Sequence, residues 1–203
     1  MASDFMLRLP SSRGGRRLWW NAASVLPSLR GNSIGGASGC TSGLGAGGVQ
    51  VRPSSALQAV KTMIHEAGVQ VGPRLEVELS HHRGIERFGD TGVAIVSRFN
   101  REYCKKLLAM LPGQDHPEQY HHQKEETFVV LHGTMRLWLD GVERECGPGD
   151  VVTVARGVRH RFQAITGVVF EEISSTHQVQ DSFYTDPAIG ANPHRKTFLA
   201  YWM

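Results

Sequence analysis

Two short stretches of this chain set metal-ligating residue types at fixed intervals between glycines. In the first, Gly113, Gln119, His121, Glu126 and Gly133 follow one another with five, one, four and six residues between them. In the second, Gly149, Ala155, Gly157 and His160 are separated by five, one and two residues. Along a strand, residues i and i+2 point to the same face, so Gln119 and His121 project together. Glu126 follows a short turn, opens the next strand and can point back at them. Gly133 is expected to let a hairpin close tightly. His160 arrives after the turn Ala155-Arg156-Gly157. Two imidazoles, one carboxylate and one amide oxygen then converge. That set suits a borderline divalent ion such as Mn²⁺, Fe²⁺, Zn²⁺ or Ni²⁺ and leaves positions open for water or substrate. His116 and His122 are nearby imidazoles that could substitute, although alternation turns His122 away from His121. A lone strand histidine is more often packed or exposed than a ligand. Here the agreement of several spaced elements points to a site.

The elements that must position these residues are short and mostly extended. Val77 to Leu79, Gly92 to Ser97 and Lys106 to Leu111 read as strands, as do Val151 to Val154, Arg161 to Ala164 and Val168 to Ile173. Thr127 to Leu131 and Thr134 to Leu139 are expected to pair across His132-Gly133. Asp140-Gly141 is a hairpin signal, and Gly147-Pro148-Gly149-Asp150 a turn. Evenly spaced short strands indicate an all-β sandwich or barrel of the jelly-roll type. One helix precedes them. Ser54 or Ser55 can cap it, Leu57, Val60, Met63, Ile64 and Ala67 share a face, and Gly68 stops it.

Residues 1–53 differ from the rest. No acidic residue lies between Asp4 and Glu66, while Arg8, Arg13, Arg16, Arg17, Arg30 and Arg52 supply charge among serines and glycines. Such a segment buries too little apolar area to offset its ordering entropy, so a disordered leader over 1–53 and a folded domain over 54–203 are expected. The same composition suits an organellar transit peptide for mitochondrion or plastid. Without import the protein would be cytoplasmic. The net charge of +3 is too small to argue for nucleic acid. Cys40, Cys104 and Cys146 form no CxxC pair, which supports neither a disulfide framework nor a thiolate zinc site. No apolar run is long enough to span a bilayer.

The paired stretches resemble the signature of the cupin superfamily, in which histidines and a glutamate project into a small β-barrel and hold one divalent metal. Gln119 stands where that family usually has its first histidine, and its amide oxygen is the weaker ligand. Asn100 to Lys106, Lys124 to Phe128 and Phe170 to Ser174 are similar to cupins related to D-lyxose ketol-isomerase. So are Thr176-His177, Asp181 to Tyr184 and Arg195 to Thr197. Similar cupins also occur appended to sialic-acid synthase-like proteins. The resemblance covers about residues 56–200.

The resemblance implies a single cupin barrel acting as a metal-dependent aldose–ketose isomerase of the D-lyxose/D-xylulose type, working through an enediolate. It implies one divalent metal, Mn²⁺ first, held by Gln119, His121, Glu126 and His160. Lys124 matches a family lysine two residues before the glutamate ligand, an acid/base or oxyanion stabiliser whose pKa a neighbouring dication would lower. Glu172 is the candidate for a second acid/base, since alternation lets only one of Glu171 and Glu172 face inward. His177 is a candidate for a substrate hydroxyl. Arg156, with Arg159, flanks the site and could meet a phosphate or carboxylate. Lys105-Lys106 reads as a solvated charge pair. The expected partner is a small sugar, with no nucleic acid or membrane, and a homodimer through sheet edges fits the need to cover exposed strands. The alternatives are a lapsed sugar-binding module, which Gln119 favours, and a metal-dependent oxygenase.

Overall fold

Apolar residues at helical spacing after Pro53 form α1 (Pro53–Glu66) in the computed structural model, which describes residues 53–72 and 75–199. Ala56, Val60, Met63 and Ile64 make its buried face, with Leu57 partly covered. The helix already includes Pro53, so Ser54 and Ser55 fall inside its first turn and not at a cap. Gly68 ends the helical segment at φ 69, where Val69 N donates to Ile64 O at 3.2 Å. A left-handed residue at that place satisfies carbonyls the helix would leave bare. The expected leader and targeting signal fall on residues 1–53, which lie outside the described residues apart from Pro53. No helix among the described residues is long and apolar enough to cross a membrane.

The strands are β1 (Val77–Ser80), β2 (Val93–Asn100), β3 (Tyr103–Met110), β4 (Asp115–Tyr120), β5 (Glu126–Leu139), β6 (Val142–Cys146), β7 (Val151–Val154), β8 (His160–Ser175), β9 (Phe183–Tyr184) and β10 (Lys196–Leu199). Every pairing is antiparallel. Two layers emerge from the register. One runs β10-β1-β2-β3, then the C-terminal half of β8, the N-terminal half of β5, and β7. The other runs β9-β4, then the N-terminal half of β8, the C-terminal half of β5, and β6. The long strands β5 and β8 pass from layer to layer and fold the sheet into a jelly-roll barrel.

This corrects one sequence expectation. Thr127–Leu131 and Thr134–Leu139 do not pair with each other; both belong to β5 and pair in turn with β8, with register shifts at Val130/His132 and Gly133/Met135. The bend comes from two facing glycines, Gly133 at φ 74 and Gly167 at φ 83. A Cβ at Gly133 would overlap the Gly167 carbonyl. Gly133→Ala is therefore expected to cost about 4 kcal/mol, through strain at positive φ and collision with backbone. An unchanged urea midpoint would show that β5 and β8 can separate there. The Asp140-Gly141 hairpin is as expected, with φ 47 and 83.

Strand parity divides the barrel interior into an apolar end and a polar end. On β5 the inward row runs Glu126, Phe128, Val130; on β8 it runs Glu172, Phe170, Val168 toward the bend. Lys106, Leu108, Met110 on β3 and His160, Phe162, Ala164 on β8 repeat the pattern. Each row thus steps from a charged or imidazole side chain to core in two residues. Phe128, Phe162 and Phe170 meet edge to face, with centroids 5.4–5.8 Å apart. Each is fully buried and contributes about 2 kcal/mol by leaving water, so the polar end stands on a stiff floor. The opposite parity, Leu107, Ala109 and Val169, packs under α1, which is why β3 is apolar on both faces.

Candidate active site

His121 lies one residue beyond β4, Glu126 opens β5 and His160 opens β8, and the fold gathers all three, each buried. Their ligand atoms lie within 4.8 Å of one another. His121 Nε2 is 3.4 Å from Glu126 Oε1, and His160 Nε2 is 3.2 Å from Glu126 Oε2. Neither approach has hydrogen-bond geometry. His121 Nε2, Glu126 Oε2 and His160 Nε2 are all sealed without a hydrogen-bond partner.

The tautomers explain why these atoms are bare. His121 Nδ1 meets the Asp181 carbonyl, and His160 Nδ1 lies 3.1 Å from the Val158 carbonyl. A carbonyl only accepts, so each Nδ1 carries a proton, and in the neutral ring that leaves each Nε2 as a lone pair. Buried polar atoms left unpaired cost about 1–3 kcal/mol each. Donors about 2.1 Å from a shared ion stand roughly 3.0–3.4 Å apart, a range that holds both imidazole–carboxylate distances. The residues therefore fit a divalent metal, with backbone carbonyls orienting the imidazoles as metal-binding histidines require.

The turn carrying these ligands is fixed from a distant segment. Asp181 accepts hydrogen bonds from the backbone N–H groups of His122, Gln123 and Lys124 at 2.8–3.1 Å, besides holding His121 through its carbonyl. Burial raises the Asp181 pKa, but these three N–H groups outweigh it and hold the carboxyl below its usual range. Gly157 N donates to His121 O at 2.6 Å, tying the second stretch to the first. Gln119 pairs in register with His160 and lines the cavity described next. His122 is exposed and packs on Phe183, as alternation required.

A cavity of about 470 Å³ adjoins the cluster, which shares Glu126 with its wall. Lys106, His116, Gln119, Lys124, Glu172 and His177 are among its lining residues. Lys124 Nζ contacts Glu126 Oε1 and lies 3.2 Å from Glu172 Oε1; Lys106 Nζ is 2.9 Å from the same Glu172 oxygen. Burial works to lower the pKa of Lys124, but Glu172 and Glu126 override it and push it well above the ordinary lysine value. Burial works to raise both carboxylates. Lys124 holds Glu126 well below its usual range, and Lys106 followed by Lys124 lowers Glu172. Lys124, Glu126 and Glu172 are therefore ionised at neutral pH.

The remaining sequence candidates divide. His177 lines the cavity, its backbone clamped by the Asn100 side chain at 2.9 Å on both N and O. Burial, then Lys106 and Lys124, lower its pKa to about 4, leaving it neutral. Arg156 is exposed on the turn before β8 and does not line the cavity, because the Ala155-Arg156-Gly157 turn carries it outward. Lys106 corrects the reading of a solvated pair: it is buried, while Lys105 pairs with Glu171 on the outer face. Its parity with Leu108 and Met110 was the available signal.

His116 is not a donor in the cluster. It stacks on Phe162 at 4.3 Å and meets His82 edge to face at 4.6 Å. His82 is buried and has a left-handed φ of 48. Burial, then Lys196 and Arg195, lower its pKa to about 3. Sequence reasoning missed His82 and the role of Asp181, and no local signal marks either.

With this geometry established, the chain can be set beside known proteins. The cupin domain model matches residues 106–171. The D-lyxose/D-mannose isomerase of Thermosediminibacter oceani is 25% identical over 173 residues, covering 68% of this chain and 96% of that protein. The D-lyxose ketol-isomerase of Cohnella laeviribosi is 28% identical over 165 residues, covering 66% and 90%. Among solved structures, the L-ribose isomerase of Geodermatophilus obscurus superposes with a TM-score of 0.58 at 14% identity, over 68% of this chain and 92% of that one. That of Cellulomonas parahominis, solved with L-ribose, gives 0.55 at 13% identity, over 68% and 93%. At such identity the two structures speak to the fold alone. Spacing, topology and the matching model agree on a cupin domain over residues 106–171.

Proposed function

We propose that this cupin is an aldose–ketose isomerase that depends on a divalent metal and acts on a small neutral sugar of the D-lyxose/D-xylulose type. The observation that carries the reading is three sealed, unpartnered donor atoms beside a cavity that presents a protonated lysine and an ionised glutamate. Two relatives named for D-lyxose isomerisation, each matched over nine-tenths or more of its length, support the substrate class.

His121, Glu126 and His160 would hold the metal, with Gln119 as the candidate fourth donor. Mn²⁺ suits the mixture of imidazole and oxygen donors. When bound, the metal supplies Lewis acidity to the sugar's carbonyl and adjacent hydroxyl oxygens, which acidifies the C–H between them. Glu172 takes the C2 proton and returns it to C1. Lys124 gives a proton to O1 and receives the one leaving O2, so no proton is gained or lost overall. As an ammonium it also stabilises the negative oxygen of the enediolate. Neutral His177 offers a hydrogen bond to a sugar hydroxyl.

The test is metal analysis, then conversion assays with D-lyxose, D-mannose and L-ribose on protein loaded with Mn²⁺. Interconversion of an aldose with its ketose, with solvent deuterium entering C1 or C2, is expected. No conversion of any of them would overturn the reading.

Gln119 favours one rival, a sugar-binding module that has lost activity, because an amide oxygen replaces an imidazole. Gln119→His separates the two. Metal affinity should rise about tenfold or more. If turnover was limited by metal occupancy, it should rise in step. Tighter metal with no turnover in either protein would favour the lapsed module. Unchanged affinity, read by competition with a chelator, would place Gln119 outside the coordination sphere.

A further inference from the structure

Lys106 is left over by this mechanism, yet it is buried in the cavity wall directly opposite Glu172 in the β3–β8 register. We propose that Lys106 is a positioning residue which holds the Glu172 carboxylate by one oxygen and thereby presents the other to the substrate.

The contacts around Glu172 are one-sided. Lys106 Nζ at 2.9 Å, Lys124 Nζ at 3.2 Å and Ser174 Oγ at 3.4 Å all reach Oε1. Oε2 takes no hydrogen bond among the described residues, and it is not among the sealed, unpartnered atoms. A carboxylate gripped at one oxygen cannot rotate without giving up charge-assisted hydrogen bonds. Its free oxygen keeps lone pairs for a carbon-bound proton. The two lysines are not equivalent. Lys124 divides its ammonium between Glu126 and Glu172, whereas Lys106 has Glu172 as its only carboxylate partner among the described residues. Lys124 can therefore turn to a sugar oxygen while Glu172 stays in place. Lys106 also lies 3.5 Å from His177 Nδ1, whose neutral ring can accept from it. One ammonium thus links the base to the neighbouring hydroxyl-binding side chain.

The inference rests on the isomerase reading, so its test has an arm independent of turnover. The full chain, loaded with Mn²⁺, is compared with Lys106→Met, Glu172→Gln and the double variant on D-lyxose. Lys106→Met should keep its metal and hold KM within about threefold while kcat falls about 100-fold. The double variant should be no slower than Glu172→Gln, because a positioning residue has nothing to position once the base is gone. A kcat within about twofold of the parent, or losses that multiply in the double variant, would overturn the proposal.

The second arm is infrared spectroscopy without sugar, with the Glu172 carboxylate bands assigned by subtraction of Glu172→Gln. One-sided hydrogen bonding separates the symmetric and antisymmetric stretches, and the separation should narrow in Lys106→Met. An unchanged separation would overturn the proposal. If Lys106→Met does not fold, Lys106→Gln keeps one weaker donor and should fall between the two in both arms. If the parent converts no sugar, the isomerase reading fails, and the infrared arm alone decides whether Lys106 sets the carboxylate.

Discussion

Loaded with Mn²⁺, the Lys124→Met variant is expected to keep its metal and its fold and to lose sugar turnover by about 10³-fold or more, with KM little changed. The magnitude follows from what the ammonium touches. It stands between Glu126 and Glu172 at the cavity wall, where a developing oxyanion would otherwise be stabilised only from the metal side. Removing a preorganised donor of this kind costs about 10²–10³, and loss of proton transfer adds to it. Methionine keeps the length and apolar bulk of the side chain, so the floor beneath it stays packed. Without metal the same substitution leaves Glu126 buried beside no ammonium, at a cost of about 3–5 kcal/mol. The comparison is therefore made on loaded protein, by melting temperature, metal content and steady-state kinetics together. Full turnover in Lys124→Met would remove the lysine from the mechanism. Oxygen consumption without sugar interconversion would move the protein to a different reaction class.

The second large effect is expected at His121. His121→Ala should abolish stoichiometric metal binding, because it removes one of two imidazoles from a cluster whose remaining amide is a weak ligand. The parent should melt higher as metal is added, by the equivalent of about 2.7 kcal/mol when free metal reaches a hundredfold excess over Kd. The variant should show no such rise. Asp181→Ala gives the graded case. The His121 ring keeps its place on the Asp181 backbone carbonyl, but the turn after it loses three backbone hydrogen bonds. Affinity should fall about 10- to 100-fold without vanishing. Stoichiometric metal in His121→Ala would mean that the ion is held by other donors.

Much of this site was readable before any coordinates. The clustering of His121, Glu126 and His160 was legible because alternation and tight turns are properties of the backbone itself, acting over a few residues. The same holds for α1, the Asp140-Gly141 hairpin and the turn at Gly147. The inward step from Glu126 to Phe128, and from His160 to Phe162, is likewise a matter of parity.

What the residues did not disclose depended on segments distant in the chain. Gly133 was read as closing a local hairpin, but its partner is Gly167, and only the β5–β8 pairing shows that both strands run on through the bend. Lys106 was read as solvated because a lysine pair is usually exposed, and Glu172 is 66 positions away. Asp181 orders a turn 57–59 positions before it. The direction of the Lys124 pKa required the sum of burial against two carboxylates brought from separate strands. Arg156, next to the ligand turn in sequence, was carried outward by that same turn. The sequence by itself determined which side chains share a strand face, since the covalent backbone sets that period. The tertiary structure alone decided which faces meet, because pairing and electrostatics sum over contacts that no local window contains.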